Sequence, residues 1–176
     1  AAEIHAALLE KGISSSELPC CAAPSARIRI LLAAGPEQYA AALKVFPSAA
    51  PKASVPQSYS IRHPDPETWL VLAADAPGAM YGGLELAESI RIGALDETRD
   101  SDSAPHIAQR GIKFNIPLDA RTPSYSDNSD SAQANIPEMW SLDFWRAFLD
   151  NMARHRYNVL SLWSLHPFPS IVKVPE

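Results

Sequence analysis

Hydrophobic residues recur at helical spacing in the last third of the chain, between two short apolar runs. The positions at i, i+3, i+4 and i+7 are occupied by Trp145, Phe148, Leu149 and Met152. Together they form one face of an α-helix. Ser141 precedes them and can cap the free N–H groups of the first turn. This pattern predicts a helix over residues 141–156.

The apolar runs on either side of this helix are too short to be helices themselves. Residues 109–121 begin Gln-Arg-Gly-Ile-Lys-Phe, and residues 157–164 contain Val-Leu-Ser-Leu-Trp, which is typical of strands in a parallel sheet. The polar residues 122–138 between the first run and the helix are predicted to form a loop. We therefore predict a right-handed βαβ unit, in which ligands meet the C-terminal ends of the strands at residues 115–121 and 163–166.

The first hundred residues predict a separate set of elements. Helices are predicted over residues 1–9, 35–46 and 79–91, and strands over residues 26–33, 58–62 and 68–73. The residues Pro64-Asp-Pro-Glu are typical of a turn, and they predict that the last two strands form an antiparallel hairpin. Gly82 and Gly83 lower helix propensity, and their presence predicts close packing of the third helix on the sheet.

Residues 96–105 are rich in Asp, Glu and Ser and predict a linker between two domains. Residues 1–105 are expected to form a small accessory α+β domain, with a mixed or antiparallel sheet and helices on one face. Residues 106–176 are expected to begin an α/β domain. Because two parallel strands and one helix cannot close a core alone, we expect further strands of a longer protein, or a partner chain, to complete it.

Composition excludes several classes of partner. The chain has 176 residues, of which 47% are hydrophobic and 20% charged, which is typical of a globular protein. Its net charge of −5, with no block of basic residues, argues against nucleic acid or an anionic membrane surface as a partner. No apolar run approaches the ~18 residues that a membrane-spanning helix requires. No cofactor is predicted.

The order of elements resembles a known arrangement. A small α/β domain ends in the predicted helix 79–91, Arg110-Gly111 opens the next strand, and Tyr157-Asn-Val-Leu-Ser-Leu follows the next helix. This is similar to the N-terminal part of the family 20 β-N-acetylhexosaminidases and the family 67 α-glucuronidases. The resemblance implies that the small domain precedes a (β/α)8 barrel which hydrolyses glycosidic bonds with two carboxylates.

The sequence departs from the family 20 pattern in the first barrel strand. Lys113 interrupts its apolar run, Asn115 stands where that family has Asp, and Leu118 stands where it has a sugar-binding Arg. The catalytic Asp–Glu pair of that family lies on a later strand, beyond Glu176, so no catalytic residue is assigned in this chain.

Five side chains near the predicted strand ends are suited to holding sugar hydroxyls or ring faces. They are Asn115, Asp119, Arg121, Trp163 and His166. Arg121 can hydrogen-bond hydroxyls or a carboxylate through two N–H groups, and an aromatic face such as that of Trp163 packs against a pyranose ring. His166 has no second ligand at metal-binding spacing, so no metal site is predicted.

Four of these residues also have a structural interpretation. Arg121 and Asp119 can form an ion pair, Trp163 can fill the core at the mouth of a barrel, and His166 can be a hydrogen-bonded structural residue. The predicted loop 122–138 is long for a connection between a strand and a helix, which is usual in substrate clefts, but it can equally be a surface insertion.

Two functions follow from the sequence. The first is the N-terminal portion of a glycoside hydrolase that acts on an oligosaccharide or polysaccharide. The alternative is a non-catalytic carbohydrate-binding or assembly module that docks on a partner chain. The compartment is not fixed by the residues, although the family resemblance favours the periplasm or the cell exterior.

If Arg121 holds sugar hydroxyls, Arg121→Ala in the complete protein will weaken substrate binding without unfolding the protein. Steady-state kinetics with a thermal melt of the same variant measure the two effects separately. Unchanged kinetics would remove Arg121 from the site.

Overall fold

A computed structural model describes residues 1–18, 27–51, 55–116 and 129–163 of a mixed α/β protein. Contacts between Cα atoms divide the chain into two compact units, Ala1–Ala108 and Gln109–Glu176. We call them unit 1 and unit 2. The assignment of these stretches to an accessory domain and to the start of a barrel stays a prediction.

The described part of the chain contains five α-helices, six strands and two short 3-10 helices, Pro47–Ala49 and Leu95–Glu97. The helices are α1 (Ala2–Glu10), α2 (Gly35–Val45), α3 (Ala76–Ile92), α4 (Ser129–Met139) and α5 (Leu142–Arg154). The strands are β1 (Arg29–Ala34), β2 (Tyr59–Asp65), β3 (Thr68–Ala73), β4 (Ser101–Ser103), β5 (Gly111–Asn115) and β6 (Val159–Trp163).

Unit 1 contains a four-stranded mixed sheet with the order β1-β3-β2-β4. Strand β1 runs parallel to β3, whereas β2 is antiparallel to both β3 and β4. The predicted antiparallel hairpin is thus confirmed. The mixed sheet is one of the two kinds that the sequence predicts.

Strand β4 lies inside residues 96–105, which the composition predicts to be a linker, so that prediction was wrong for this stretch. Its polar side chains have partners on β2. Asp102 accepts hydrogen bonds from Ser60 Oγ at 2.7 Å and from the Arg62 guanidinium at 2.5 Å. Arg62 also donates to the Ser101 carbonyl oxygen at 2.6 Å. A sequence rich in Ser and Asp therefore forms a strand because buried Arg62 needs these acceptors.

The sheet of unit 1 has helices on both faces, so the prediction of helices on one face was wrong. Every residue of β3 is buried, and successive residues of a strand point to opposite faces. Leu70 and Leu72 form a core with residues of β1, and Tyr39 and other apolar residues of α2 pack on it. On the other face, Val71 lies beneath Gly82 of α3.

Helix α1 packs on α3 rather than on the sheet. Its buried residues are Ile4 and Ala7. Arg91 near the end of α3 forms ion pairs with Glu3 at 3.0 Å and with Glu10 at 3.2 Å. The hydrogen bond to Glu3 is the main cause of a raised pKa at Arg91.

Side chains cap the starts of two helices, and one of them, Ser141, confirms the predicted cap. The Asp75 side chain accepts a hydrogen bond from Gly78 N at 2.8 Å at the start of α3, and Ser141 Oγ accepts one from Phe144 N at 3.3 Å at the start of α5. Each bond satisfies one of the N–H groups that a first helical turn leaves without a partner. Helix α5 ends at Arg154, two residues before the predicted end, and Arg156 has a positive φ of 64°.

Unit 2 contains the predicted pair of parallel strands. Gly111 to Asn115 of β5 pair in register with Val159 to Trp163 of β6. Residues 122–138 were predicted to be a loop, and this was wrong for the part that forms α4. The last residue of α4, Met139, is buried against Ile116; one apolar anchor at the end of a polar stretch is too little to reveal a helix by periodicity.

The packing of α3 on the sheet gives a test with a matched control. A Cβ at Gly82 would lie 2.6 Å from Val71 Cγ1, whereas a Cβ at Gly83 would meet Ile4 at an ordinary 3.8 Å. Gly82→Ala is therefore expected to lower the free energy of unfolding by about 1–3 kcal/mol. Gly83→Ala is expected to raise it by up to about 1 kcal/mol through helix propensity. Urea denaturation measures both; equal midpoints for the two variants would show that α3 does not approach the sheet at Gly82.

Candidate functional site

The C-terminal ends of β5 and β6 bring two of the five predicted site residues together. Asn115 and Trp163 are register partners, and Ile116 N donates to the Trp163 carbonyl oxygen at 2.8 Å just beyond the last pair. Both therefore lie at the edge of the parallel pair where ligands of α/β proteins bind.

Alternation along the two strands separates a polar face from an apolar face. One face carries Lys113, Asn115, Ser161 and Trp163, with Gly111 and Val159 at its start. Those on the opposite face include Ile112, Leu160 and Leu162, followed by Ile116. Ile116 is buried with Met139, Phe144 and Trp145 of the helical layer. The polar face is thus the one turned away from the helices, and we call it the polar strand face.

Lys113 lies beside Trp163 on the polar strand face. Its Nζ atom is 5.6 Å from the centroid of the Trp163 ring, a distance at which a cation is attracted to an aromatic face. An exposed contact of this kind contributes about 0.5–1 kcal/mol. The predicted site did not include Lys113, which the sequence marked only as a break in an apolar run. Its spacing of two residues from Asn115 was the signal that would have found it.

Asn115 has a buried acceptor atom. Its side-chain Oδ1 is inaccessible to solvent and accepts no hydrogen bond within the ranges that the structure describes. A buried polar atom without a partner costs about 1–3 kcal/mol.

The other three predicted site residues, Asp119, Arg121 and His166, lie outside the described residues. Their proximity to Asn115 and Trp163 stays a prediction from the chain order, as does the alternative of an Asp119–Arg121 ion pair.

Arg110, which precedes β5, lies at the opposite end of the strands from Asn115. Its Nε atom donates to the Arg156 carbonyl oxygen at 2.7 Å, and its backbone N–H donates to Asn158 Oδ1 at 2.8 Å. The next residue is Gly111, where a Cβ would meet Val159 Cβ and its carbonyl oxygen at 2.9 Å. The Arg-Gly pair thus joins the start of β5 to the turn before β6 and has a structural role.

Unit 1 has an open depression of about 400 Å³ between the end of α3 and the approach to β4. Its lining includes the carboxylates of Glu85, Glu97 and Asp100. Glu85 accepts a hydrogen bond from the Tyr59 hydroxyl, and Asp100 accepts one from His63 N at 2.9 Å. These two carboxylates therefore serve the fold, and the depression offers less to a ligand than the polar strand face.

Neither a cluster of metal-ligating side chains nor a membrane-spanning helix is found in the part of the chain that the structure describes. No group of three or more His, Cys, Asp or Glu side chains there is placed to hold a metal ion. No helix among those residues has the length and apolar character to cross a membrane.

Comparison with known proteins supports the fold. Neither a protein-family model nor a curated protein sequence matches the chain. Among solved structures, the chain is similar to a GH138 enzyme targeting pectin rhamnogalacturonan II, with a TM-score of 0.67 and 20% sequence identity. The match covers 98% of this chain and 23% of the other chain, so the chain spans under a quarter of that neighbour's length.

This likeness bears on the family resemblance. The neighbour is a glycoside hydrolase of a family other than 20 and 67. At 20% identity the likeness shows a shared fold, and it gives no support to families 20 and 67 in particular.

The buried acceptor at Asn115 can be tested by a pair of variants. Asn115→Leu removes a polar atom that has no described partner, so stability should stay the same or rise. Asn158→Leu removes the acceptor of Arg110 N and should lower the free energy of unfolding by about 1 kcal/mol. Thermal unfolding of both variants measures the difference. A larger loss for Asn115→Leu than for Asn158→Leu would mean that the Asn115 side chain already has a hydrogen-bonding partner in the folded protein.

Proposed function

We propose that this chain is the N-terminal part of a glycoside hydrolase that acts on an oligosaccharide or polysaccharide. Unit 1 is the accessory domain, and β5, α5 and β6 are the first elements of a (β/α)8 barrel. The observation that carries the proposal is the structural likeness to a GH138 enzyme over 98% of the chain, which includes both units.

The arrangement of unit 2 supports this proposal independently of the likeness. In a (β/α)8 barrel, helices cover the outer face of the strands and ligands meet the C-terminal ends. The face of β5 and β6 that lies away from the helices carries Lys113, Asn115 and Trp163. Polar and aromatic groups at this position are suited to a sugar, because the ring face packs on Trp and the hydroxyls need hydrogen-bonding partners.

The five residues predicted from the sequence have proposed roles in this site. Asn115 holds a sugar hydroxyl, and Trp163 supports a ring face. We assign hydroxyl binding to Asp119, Arg121 and His166 from their position after the strands. Hydrolysis of a glycosidic bond generally uses two carboxyl groups, ~5–9.5 Å apart. None of the five is assigned that role, and we place the catalytic pair on other strands of the barrel.

The proposal is tested on the protein at its full natural length. Incubated with a panel of plant and bacterial polysaccharides that includes pectin rhamnogalacturonan II, it is expected to release sugars, which mass spectrometry identifies. The chain of residues 1–176, if it is shorter than the natural protein, should release none because it lacks the carboxylate pair. Trp163→Ala should lower kcat/KM on the best substrate by about tenfold, or roughly 1.4 kcal/mol.

Trp145→Phe is the control, since Trp145 packs among the helices against Ile116 and should affect kinetics little. Release of sugars by the wild type with an unchanged kcat/KM for Trp163→Ala would exclude Trp163 from the site. Binding of a polysaccharide without any release of sugars would favour a carbohydrate-binding module. The absence of both binding and release would refute the proposal.

A further inference from the structure

We infer that the outer edge of β1 is an interface at which two copies of this protein pair, so that their four-stranded sheets become one continuous sheet. The inference goes beyond the proposed function, because it concerns unit 1 and involves no sugar. It rests on the open edge of β1, on the symmetry of its main-chain groups and on two charged residues that flank the strand.

Strand β1 forms one edge of the sheet in unit 1. It pairs with β3 on one side, and within the described ranges of the chain no strand lies on its other side. Helices α2 and α3 both contact it. Nevertheless Arg29 to Leu32 are each only half-buried, whereas every residue of the central strand β3 is buried. The exposure that remains on β1 therefore lies along its outer edge.

The main-chain groups at this outer edge belong to alternate residues. Arg29 N donates to the Glu67 carbonyl oxygen at 2.7 Å, on the side of β3. Because a strand residue directs its N–H and C=O groups to the same side and the next residue directs its own to the opposite side, those of Ile30 and Leu32 point away from β3. They form no hydrogen bond with the part of the chain that the structure describes. The edge thus presents two donors and two acceptors to an incoming strand.

This edge lacks the features that prevent sheet edges from pairing. Its register with β3 is unbroken from Arg29 to Ala34, so it has no bulge, and its central residues include neither Pro nor a charged residue. Gln38 closes only the last position, where Ala34 N donates to its Oε1 atom at 3.0 Å. The opposite edge, β4, is short and polar. A sheet protected on one edge alone is suited to pairing at the other.

Antiparallel pairing of β1 with its own copy fits the pattern of these groups. With a two-fold axis at Leu31, Ile30 lies opposite Leu32 of the second copy, and Leu32 lies opposite Ile30 of that copy. Each of these residues directs its N–H and C=O groups outward, so each pair exchanges two N–H···O=C bonds. Every outward group between Ile30 and Leu32 then has a partner, and both copies use the same surface, as a two-fold interface requires.

The charges at the two ends of β1 favour a second copy over an unrelated strand. Arg27 precedes the strand and Glu37 lies in the first turn of α2 after it, and both side chains are exposed. A strand rises about 3.3 Å per residue, so the two residues of one chain are roughly 20 Å apart and cannot pair. Antiparallel pairing brings the start of one β1 to the end of the other. Arg27 of each copy thus approaches Glu37 of the other, which selects both the partner and the register.

The oligomeric state of the protein at its full natural length tests the inference. Sedimentation velocity over a range of concentrations should show a monomer–dimer equilibrium. Ile30→Pro removes an outward N–H and leaves every N–H that faces β3 in place, which an edge strand tolerates. It should raise the Kd of the dimer by about tenfold, the effect of losing roughly one symmetric pair of hydrogen bonds. A thermal melt of the variant confirms that the monomer remains folded.

Reversal of the flanking charges tests the choice of partner. Arg27→Glu and Glu37→Arg should each raise the Kd by about tenfold, because each places like charges together at both ends of the interface. The double variant restores both ion pairs with their signs exchanged and should return the Kd towards that of the wild type. A structural role within one chain cannot produce this rescue, since the two residues are too far apart to interact.

Three outcomes would overturn the inference. They are a wild-type protein that stays monomeric at every concentration, a dimer that neither Ile30→Pro nor a charge reversal weakens, and a double variant as weak as the single ones. The second outcome would place the dimer interface on another surface of the protein. If Ile30→Pro does not fold, the charge-reversal variants decide the question, because both lie outside β1 and leave its main chain unchanged.

Discussion

Each face of a β-strand must either be covered by other elements or carry polar groups, and this constraint determines the architecture of both units. In unit 1, a strand as apolar as β3 cannot leave either face in water. Leu70 and Leu72 are therefore covered by α2, and Val71 on the reverse side by α3. In unit 2, the helical layer covers the side marked by Ile116, and the other side carries polar groups. The same alternation thus produces a closed layer in one unit and a candidate binding surface in the other.

Much of this fold was predictable because local patterns and tertiary packing agree. The apolar stripe of α5, the caps Asp75 and Ser141, the hairpin and the parallel pair all follow from spacing and turn chemistry. Strand β4 and helix α4 were missed because their sequences are polar and each depends on a partner distant in the chain. Arg62 holds β4 through Asp102, and Ile116 holds the end of α4 through Met139. A single sequence does not reveal such pairings.

The candidate site was predictable only as far as the order of the chain allows. The rule that ligands meet the ends of parallel strands selected Asn115 and Trp163, which are register partners in the structure. It did not select Lys113, because in the sequence alone a charged residue within a strand only interrupts the apolar run. Paired with β6, the same lysine is a neighbour of Trp163. The significance of Lys113 is therefore a property of the strand pair, and it emerges only when the two registers are known.

The short fourth strand has a consequence for the behaviour of the protein in solution. An unpaired sheet edge exposes N–H and C=O groups that can recruit another chain and start aggregation. Strand β4 forms an edge of the sheet with only three residues, Ser, Asp and Ser, too short and too polar to template a further strand. Ser60 and Arg62 fix Asp102 within this edge. Tyr59 to Ile61 of β2 are thereby already paired, so an incoming strand at this part of the edge meets β4 first.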